Sequence, residues 1–518
     1  MPQSFLPGAL LPAVILGSCA VLPDNVGRTE SYAFTDVQDT RLALLYRDKH
    51  RGLNELSGFA LLAGGHDALV ARAALAQAAE RSIDAQYYLL HDDLTGALFV
   101  DQLLQAADRG VRVRLLLDDM DLEGRDRNTA ALDRHPHIQV RIFNPFARNI
   151  GRTSQFITRL GTVTRRMHNK SFTADNSATV LGGRNIGDEY FEANPSLVFG
   201  DLDVLGIGPV ARKVSASFDA YWNHPLAYPV ATLIPTPASD RDLSTLRTKL
   251  DAFVEEQQDS PYLEALREAE FARRLRNGDL HFHWGEAEII SDAPDKVVAD
   301  RDQTQYHLST ELRPHFDALR EEIIILSPYF VPGREGVELL ADLAQRGVRV
   351  RVLTNSLAST DVQVVHAGYS RHREALLRAG IELYELDAKL ESEAAASPDA
   401  RSESYKASLH AKSFVLDRER VFIGSLNLDP RSVLENTEIG TVIESPDMAE
   451  FMAEWFDRNV GSIAFQVELV RGESGTISLR WTSRKGDEPL VFDKDPYTGA
   501  AERYLIGILR LLPIDSQL

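Results

Sequence analysis

Two histidine–lysine pairs in the sequence share one nineteen-residue frame. Met167–Asn185 reads MHNKSFTADNSATVLGGRN, and Leu409–Asn427 reads LHAKSFVLDRERVFIGSLN. Each gives His-x-Lys, four residues, Asp, six residues, Gly, Gly or Ser, one residue, Asn; His168 and His410 stand 242 residues apart with every internal spacing kept. In an extended strand alternate side chains share a face, so His168 points with Lys170 and His410 with Lys412. Imidazole suits nucleophilic or acid–base work near neutral pH. The lysine adds a cation for anionic oxygens, and Asn185 or Asn427 adds an amide donor. Doubling the unit brings two histidines, two lysines and two asparagines to one anion. Phosphodiester transfer needs that set: a nucleophile on one side of phosphorus, an acid on the other, and cations around the equatorial oxygens.

The aspartates read differently. Asp175 and Asp417 follow their lysines by five residues, an odd offset that faces the other side of a regular strand. Each opens a turn-like segment (DNSA, DRER) between two apolar runs, so a β-hairpin is expected, with the aspartate orienting the site rather than acting as a base.

The doubled H-x-K-x4-D with G-[GS]-x-N resembles the signature of the phospholipase D superfamily. RRMHNKSF, LGGRNIGDEYF, SPYFVP, LTNSLASTDVQVVHAGY and FIGSLNLDPRS resemble, more narrowly, the bacterial class C cardiolipin synthases, over about Asp67 to Trp455. The resemblance implies an α/β fold of two pseudo-twofold-related sandwich halves with the active site at their interface. It implies the six motif residues His168, Lys170, Asp175, His410, Lys412 and Asp417 as the catalytic set, with the half-one histidine as nucleophile. It further implies an acid that fixes each imidazole. Glu438, 28 residues after His410, is read as that acid, and Asp203 in DLDVLGIGP as its half-one counterpart. Ser425 has Gly183 as its half-one equivalent, and His366 in VVHAGY is a head-group candidate. The implied activity is phosphatidyl transfer from a phospholipid donor to phosphatidylglycerol through a phosphohistidine, with phosphatidylglycerol or phosphatidylethanolamine as donor and no cofactor or metal. Hydrolysis to phosphatidic acid, another superfamily phosphodiesterase or nuclease activity, and a non-catalytic lipid-binding role are the alternatives.

Composition narrows these. The 518 residues carry 56 Lys and Arg against 76 Asp and Glu, a formal charge of −20, which argues against a nucleic-acid partner and makes any contact with anionic lipid local. Residues 1–19 form an apolar lead ending in Leu16-Gly17-Ser18-Cys19, which looks like a lipobox around the only cysteine. A lipid-anchored protein of the bacterial cell envelope is expected. The lead contains no Lys or Arg, so an apolar arm on a peripheral inner-membrane protein is the alternative. Oligomeric state and any accessory protein are left open.

The elements that position the motifs repeat with them. Residues 20–66 are an N-terminal lead. Strand–helix alternation begins with a helix capped by Asp67 and runs through 67–224 as half one. RGVRVR recurs at Arg109–Arg114 and Arg346–Arg351, so a whole α/β half is duplicated, the second over 301–465. Between them, 225–300 reads as a proline-marked linker and charged insertion. In it His281 and His283 flank Phe282 without a further His or Cys to complete a metal set, and a strand with two surface histidines is expected. The tail, 466–518, ends in an amphipathic helix (Tyr504, Leu505, Ile508, Leu509, Leu511, Leu512) that suits either a membrane interface or a terminal place on the fold.

Overall fold

The computed structural model describes the chain except residues 1–20, 26, 51–54, 160, 195, 390–405, 473–474, 485–488 and 512–518, so the lipobox with Cys19 and Leu512 lie outside the described residues. Half one supplies β1 (Ser57–Leu62), β2 (Ser82–Tyr87), β3 (Arg112–Asp118), β4 (Ile138–Phe143), β5 (Ser171–Ala174), β6 (Ala178–Gly182), β7 (Leu197–Gly200), β8 (Asp203–Ile207) and β9 (Ala227–Pro229). Half two supplies β10 (His283–Ser291), β11 (Glu322–Leu326), β12 (Arg349–Asn355), β13 (Glu382–Leu386), β14 (Lys406–Leu409), β15 (Ser413–Leu416), β16 (Arg420–Gly424), β17 (Ile439–Glu444) and β18 (Ala464–Arg471), followed by β19 (Ile477–Ser483) and β20 (Leu490–Phe492).

The strand order repeats position for position. Half one runs β9-β4-β3-β2-β5-β6-β8-β1, and half two β18-β13-β12-β11-β15-β16-β17-β10. In both, three central strands are parallel (β2-β3-β4 and β11-β12-β13) and the remaining neighbours antiparallel. Parallel neighbours need crossover helices, and Leu94–Asp108 and Gly333–Gln345 provide the first crossover of each half. RGVRVR marks where those helices stop. Gly110 and Gly347 adopt left-handed φ of 91° and 89°, which turns the chain straight into β3 and β12.

Sequence reading left Ser57–Leu62 in the lead and His283–Ser291 in the linker, yet β1 and β10 are equivalent strands of the two sheets. They also pair with each other, Ser57 opposite Gly285, and so join the sheets edge to edge. The first helix of half one begins at Gly65 with Gly64 as its cap. The Asp67 carboxylate accepts instead from the Phe271 N–H at 2.8 Å, tying that helix to the inserted helix Glu270–Asn277.

Each half has its own core, and a third core is shared. Leu181, Val204 and Val214 of half one pack with Ile324, Val421, Ile423 and Ile443 of half two, all buried. Helices Pro209–Trp222 and Pro446–Ile463, which follow β8 and β17, add Val210 and Met448 to this seam. The seam is therefore apolar and binds the halves through the hydrophobic effect.

The motif aspartates sit in the expected hairpin turns. β5–β6 and β15–β16 are antiparallel hairpins, with positive φ at both Asp175 and Asn176 (50° and 48°) and at Asp417 and Arg418 (52° and 55°). Tight two-centre turns of this hand need positive φ at both positions. Asp175 accepts from the N–H groups of Glu80, Arg81 and Ser82 at 2.9, 2.7 and 2.9 Å, and Asp417 from those of Arg320, Glu321 and Glu322 at 3.0, 2.9 and 3.0 Å. Each carboxylate thus pins its hairpin to the start of the central strand. Asp175 is fully buried and Asp417 is not. Asp175→Ala should therefore cost about 2–3 kcal/mol and Asp417→Ala about 1 kcal/mol, since a buried unpaired donor costs more than a solvated one. The urea midpoint checks this; a turnover defect at an unchanged midpoint would instead place the carboxylate in the chemistry.

Candidate active site

The two motifs meet across the seam, each bonded to the opposite half. Met167 bridges Thr437 in parallel register, and the His168 N–H donates to the Thr437 carbonyl at 2.8 Å. In the mirrored arrangement β14 pairs in parallel with β7, Leu409 opposite Gly200, and the His410 N–H donates to the Gly200 carbonyl at 2.8 Å. The residue after each of those carbonyls is an acid. Glu438 lies 2.8 Å from His168 Nδ1, and Asp201 lies 2.5 Å from His410 Nδ1. Each imidazole takes its carboxylate from the other half.

An ionised carboxylate only accepts, so both Nδ1 atoms carry hydrogen and both Nε2 atoms present lone pairs, with His410 Nε2 3.2 Å from Lys412 Nζ. Burial, then Lys170, pushes His168 down to about 4, against Glu438. Burial and Lys412 lower His410, against Asp201 and Asp361. Burial works to raise Asp201, but His410, Lys412 and Arg184 hold it at about 2. Glu438 is likewise lowered against its burial by His168, Lys170 and the Ser425 hydroxyl. Burial pushes Lys412 down to about 8 and lowers Lys170 well below the usual lysine range, with Asp201 and Glu438 opposing. The resting site is thus two neutral imidazoles, two carboxylates and two lysines whose charge is easily lost.

The lysines are held by their own motifs: Lys170 Nζ donates to the His168 carbonyl and Lys412 Nζ to the His410 carbonyl, each at 2.5 Å. Tyr88 meets the His168 ring edge-on at 5.0 Å, and Tyr190 meets His410 at 5.1 Å. Asn185 donates to the Tyr190 hydroxyl at 2.8 Å and accepts from the Leu89 N–H at 3.3 Å. Asn427 is buried. Its Oδ1 has no hydrogen-bond partner. Deeper ion pairs fix the backbone. Asp118 bonds Arg166 and the Met167 N–H, and Arg184 binds the Asp201 carbonyl at 2.7 Å. Two other groups, His91 with Asp93 and Glu189 and His281 with His283 and Asp447, have ligand atoms within 4.8 Å of one another and the donor types of a cation site.

Known proteins are similar in sequence and in fold. The family model described as "Cardiolipin synthase, PLD-like domain" matches residues 72–222 and 312–460. The chain belongs to the phospholipase D-like cardiolipin synthase family. It is 40% identical over 452 residues to cardiolipin synthase C of Escherichia coli, covering 87% of this chain and 93% of that one. A cardiolipin synthase of Geobacillus kaustophilus is 24% identical over 413 residues, 78% of this chain and 66% of that protein. The crystal structure of phosphatidylserine synthase from Haemophilus influenzae superposes with a TM-score of 0.55 at 12% identity, covering 91% of this chain and 99% of that one, and shows the fold.

Three expectations for the site change. Glu438 serves His168, not His410, because the halves exchange the segments Gly200–Asp201 and Thr437–Glu438. Asp203 touches no imidazole. It bonds Arg72 at 2.8 Å, lies 3.6 Å from Arg184, and so supports the arginine that carries the Asp201 backbone. His366 is buried in helix Gln363–Ser370, with Nε2 2.6 Å from Arg373 and 3.7 Å from Asp495, and its ring packs on Tyr369 away from the histidine pair. Asp201, Tyr88 and Tyr190 went unread. Gly-Asp-Leu aligned on Thr-Glu-Ile would have found Asp201, since both acids directly precede the strand region paired with a motif glycine, Gly182 opposite Asp203 and Gly424 opposite Gly440.

Asp201→Asn should lower kcat about a hundredfold or more by releasing the His410 tautomer. Asp203→Asn should chiefly lower the unfolding midpoint. Kinetics and urea titration of the pair check the contrast. A histidine with a folded pKa of about 4 against an ordinary 6.5 binds fewer protons than the unfolded chain between those values. Stability therefore falls as pH drops from 6.5 toward 4. His168→Asn should flatten that slope in urea midpoints measured across the window.

Proposed function

We propose that the protein transfers a phosphatidyl group from a phospholipid donor to phosphatidylglycerol through a phosphohistidine. The observation that supports this most is the exchanged carboxylate pair, which leaves two Nε2 atoms and two lysines at one buried seam. His168 Nε2 attacks phosphorus, the P–O bond to the departing alcohol breaks, and the His410 imidazolium gives that alcohol its proton. His410, now neutral, takes the proton from the acceptor hydroxyl, whose oxygen displaces His168 from phosphorus. The assignment follows the asymmetry of the site. His168 is held neutral at about 4, whereas Asp361 adds a further negative field that favours the His410 cation. Lys170, Lys412, Asn185 and Asn427 stabilise the equatorial oxygens where charge develops. Glu438, with Ser425 donating to it at 2.5 Å, and Asp201 keep the two tautomers. Asp175 and Asp417 hold the hairpins.

The chain beyond Asn185 also bonds a neighbouring segment, the His91 N–H donating to the Ile186 carbonyl. There a cleft of about 450 Å³, lined by His91, Asp92, Met120, Asp121, Glu123 and Arg125, gives room for a polar head group. Its carboxylates suit the ammonium of a phosphatidylethanolamine donor as well as a glycerol. The protein acts at a membrane surface of the cell envelope; among the described residues no helix is long and apolar enough to cross a membrane.

Incubation of the purified protein with phosphatidylglycerol vesicles, with and without phosphatidylethanolamine, should yield cardiolipin by lipid mass spectrometry. The wild-type protein quenched in acid should carry a phosphatidyl adduct on His168; His168→Ala should yield neither adduct nor product, and His410→Ala, lacking the acid of the first step and the base of the second, should yield no product. Phosphatidic acid alone would make water the acceptor and the protein a hydrolase. Retained turnover in either variant would end the two-histidine scheme.

A further inference from the structure

The terminal helix Ala500–Leu509 is apolar on two faces. Its inner face seats Ile506 and Leu509 against Leu357 and Ala367, so the helix is docked on the fold. Its outer face, at spacings of one, three and three residues, presents Tyr504, Leu505, Ile508 and Leu511 with 73%, 44%, 44% and 85% of their surface exposed. A helix apolar on both sides is ordinarily covered on both.

The docked side of the helix is tied to the active-site loop. Gln363, at the start of helix Gln363–Ser370, bonds Glu502 at 3.3 Å. Two residues earlier Asp361 accepts from the Tyr329 hydroxyl at 2.7 Å, and its charge reaches His410 and Lys412. The same loop is rooted at Asn355, whose side chain bonds both the N–H and the carbonyl of Leu409, one residue before His410. Helix, loop and catalytic histidine form one hydrogen-bonded unit.

The flank of the helix is basic. Arg510 is exposed just past the last turn, Arg503, seven residues earlier, donates to the carbonyl and hydroxyl of Thr498, and Arg371 caps the carboxyl end by bonding the Leu509 carbonyl at 2.9 Å. In a chain of formal charge −20 this is a local cationic border on an apolar stripe. That pairing matches the head groups and acyl boundary of an anionic bilayer.

We propose that the outer face of Ala500–Leu509 is a docking surface for an anionic phospholipid bilayer, and that it sets the active-site mouth against the membrane that holds the lipids. Tyr504, Leu505 and Ile508 enter the acyl boundary, and Arg510 meets the phosphates. The inference rests on the phospholipid reading above and adds to it how substrate is reached.

The test uses the full chain carrying Cys19→Ser, so that no acyl anchor contributes, with and without the triple substitution Tyr504→Ser, Leu505→Ser, Ile508→Ser. Flotation with phosphatidylglycerol vesicles should show binding by the parent that falls about tenfold or more in the triple variant, and that weakens when phosphatidylcholine replaces phosphatidylglycerol. Turnover on vesicles should fall with binding, while turnover on monomeric short-chain phosphatidylglycerol stays within about twofold, since the helix touches none of the reacting groups. Equal flotation of the two proteins would overturn the proposal. So would a parent that sediments as a dimer and a variant that sediments as a monomer, because the face would then be covered by a second copy. Short-chain lipid left unturned by the parent would strike at the phosphatidyl-transfer reading, and the flotation comparison would still decide the docking surface.

Discussion

Everything at the catalytic seam depends on the exchange of carboxylates between the halves. Among the described residues His168 bonds Glu438 of the other half, and His410 bonds Asp201 of the other half. Glu438, Asp201, Lys170 and Lys412 are all essentially without solvent. Removing one partner from such a set leaves an uncompensated buried charge, which is strongly destabilising. Neither half is therefore a viable site by itself. The shared apolar core gives the halves a reason to associate, and the parallel pairings of Met167 with Thr437 and of β14 with β7 set the register in which they do so. The non-directional force holds the seam, and the directional bonds choose its alignment.

The exchange is symmetric in topology and asymmetric in chemistry. On the His168 side the acid is the longer glutamate, and Ser425 donates to it at 2.5 Å. On the His410 side the acid is the shorter aspartate, and the place of that serine is Gly183. A Cβ there would stand 2.3 Å from an Asp201 oxygen, so the short acid and the missing side chain require each other. Asp201 replaces the lost hydroxyl with the Leu202 N–H at 2.7 Å. A duplicated site that must contain both a nucleophile and an acid gains from such a difference, because two identical imidazoles would have no preference between roles.

How much of this the sequence carries depends on the range of the interaction. The doubled motif, the hairpins at Asp175 and Asp417 and the repeat of RGVRVR are local patterns, and all are present in the folded chain, although the two His-x-Lys triplets lie just before β5 and β15 rather than inside a strand. The acid partners are not local. Asp203 and Glu438 were paired with histidines of their own halves because sequence offset is the only distance a sequence contains, and the crossing of Gly200–Asp201 into the other half has no signature in spacing. His366 was read by its neighbours in the text, whereas its partners Arg373 and Asp495 lie on different elements and take it into the interior. β1 was missed, and the strand expected around His283 was not placed as its equivalent in half two, for another reason. SGFALL is a short apolar run that periodicity cannot tell from a buried helix turn, and HWGEAEIIS alternates only in part.

The charge state of the empty seam explains how a chain of such negative charge can act on an anion. With both lysines protonated and both imidazoles neutral, the charges of Lys170, Lys412, Glu438 and Asp201 cancel, which is the cheapest arrangement for charged groups removed from water. One layer deeper Arg166 balances Asp118, while Asp203 is shared by Arg72 and Arg184. A phosphodiester entering this arrangement adds one negative charge in a dry environment, and that charge raises the proton affinity of both imidazoles and both lysines. The lysines then keep their protons, and one histidine takes up a proton to become the acid that the leaving group requires. The Asp361 field and the Asp201 pair direct that proton to His410, while His168, shared with the Ser425-bonded Glu438, keeps its Nε2 lone pair. On this reasoning the substrate itself sets the protonation state in which the proposed transfer proceeds, and the depressed histidines of the free protein are the state from which that uptake can occur.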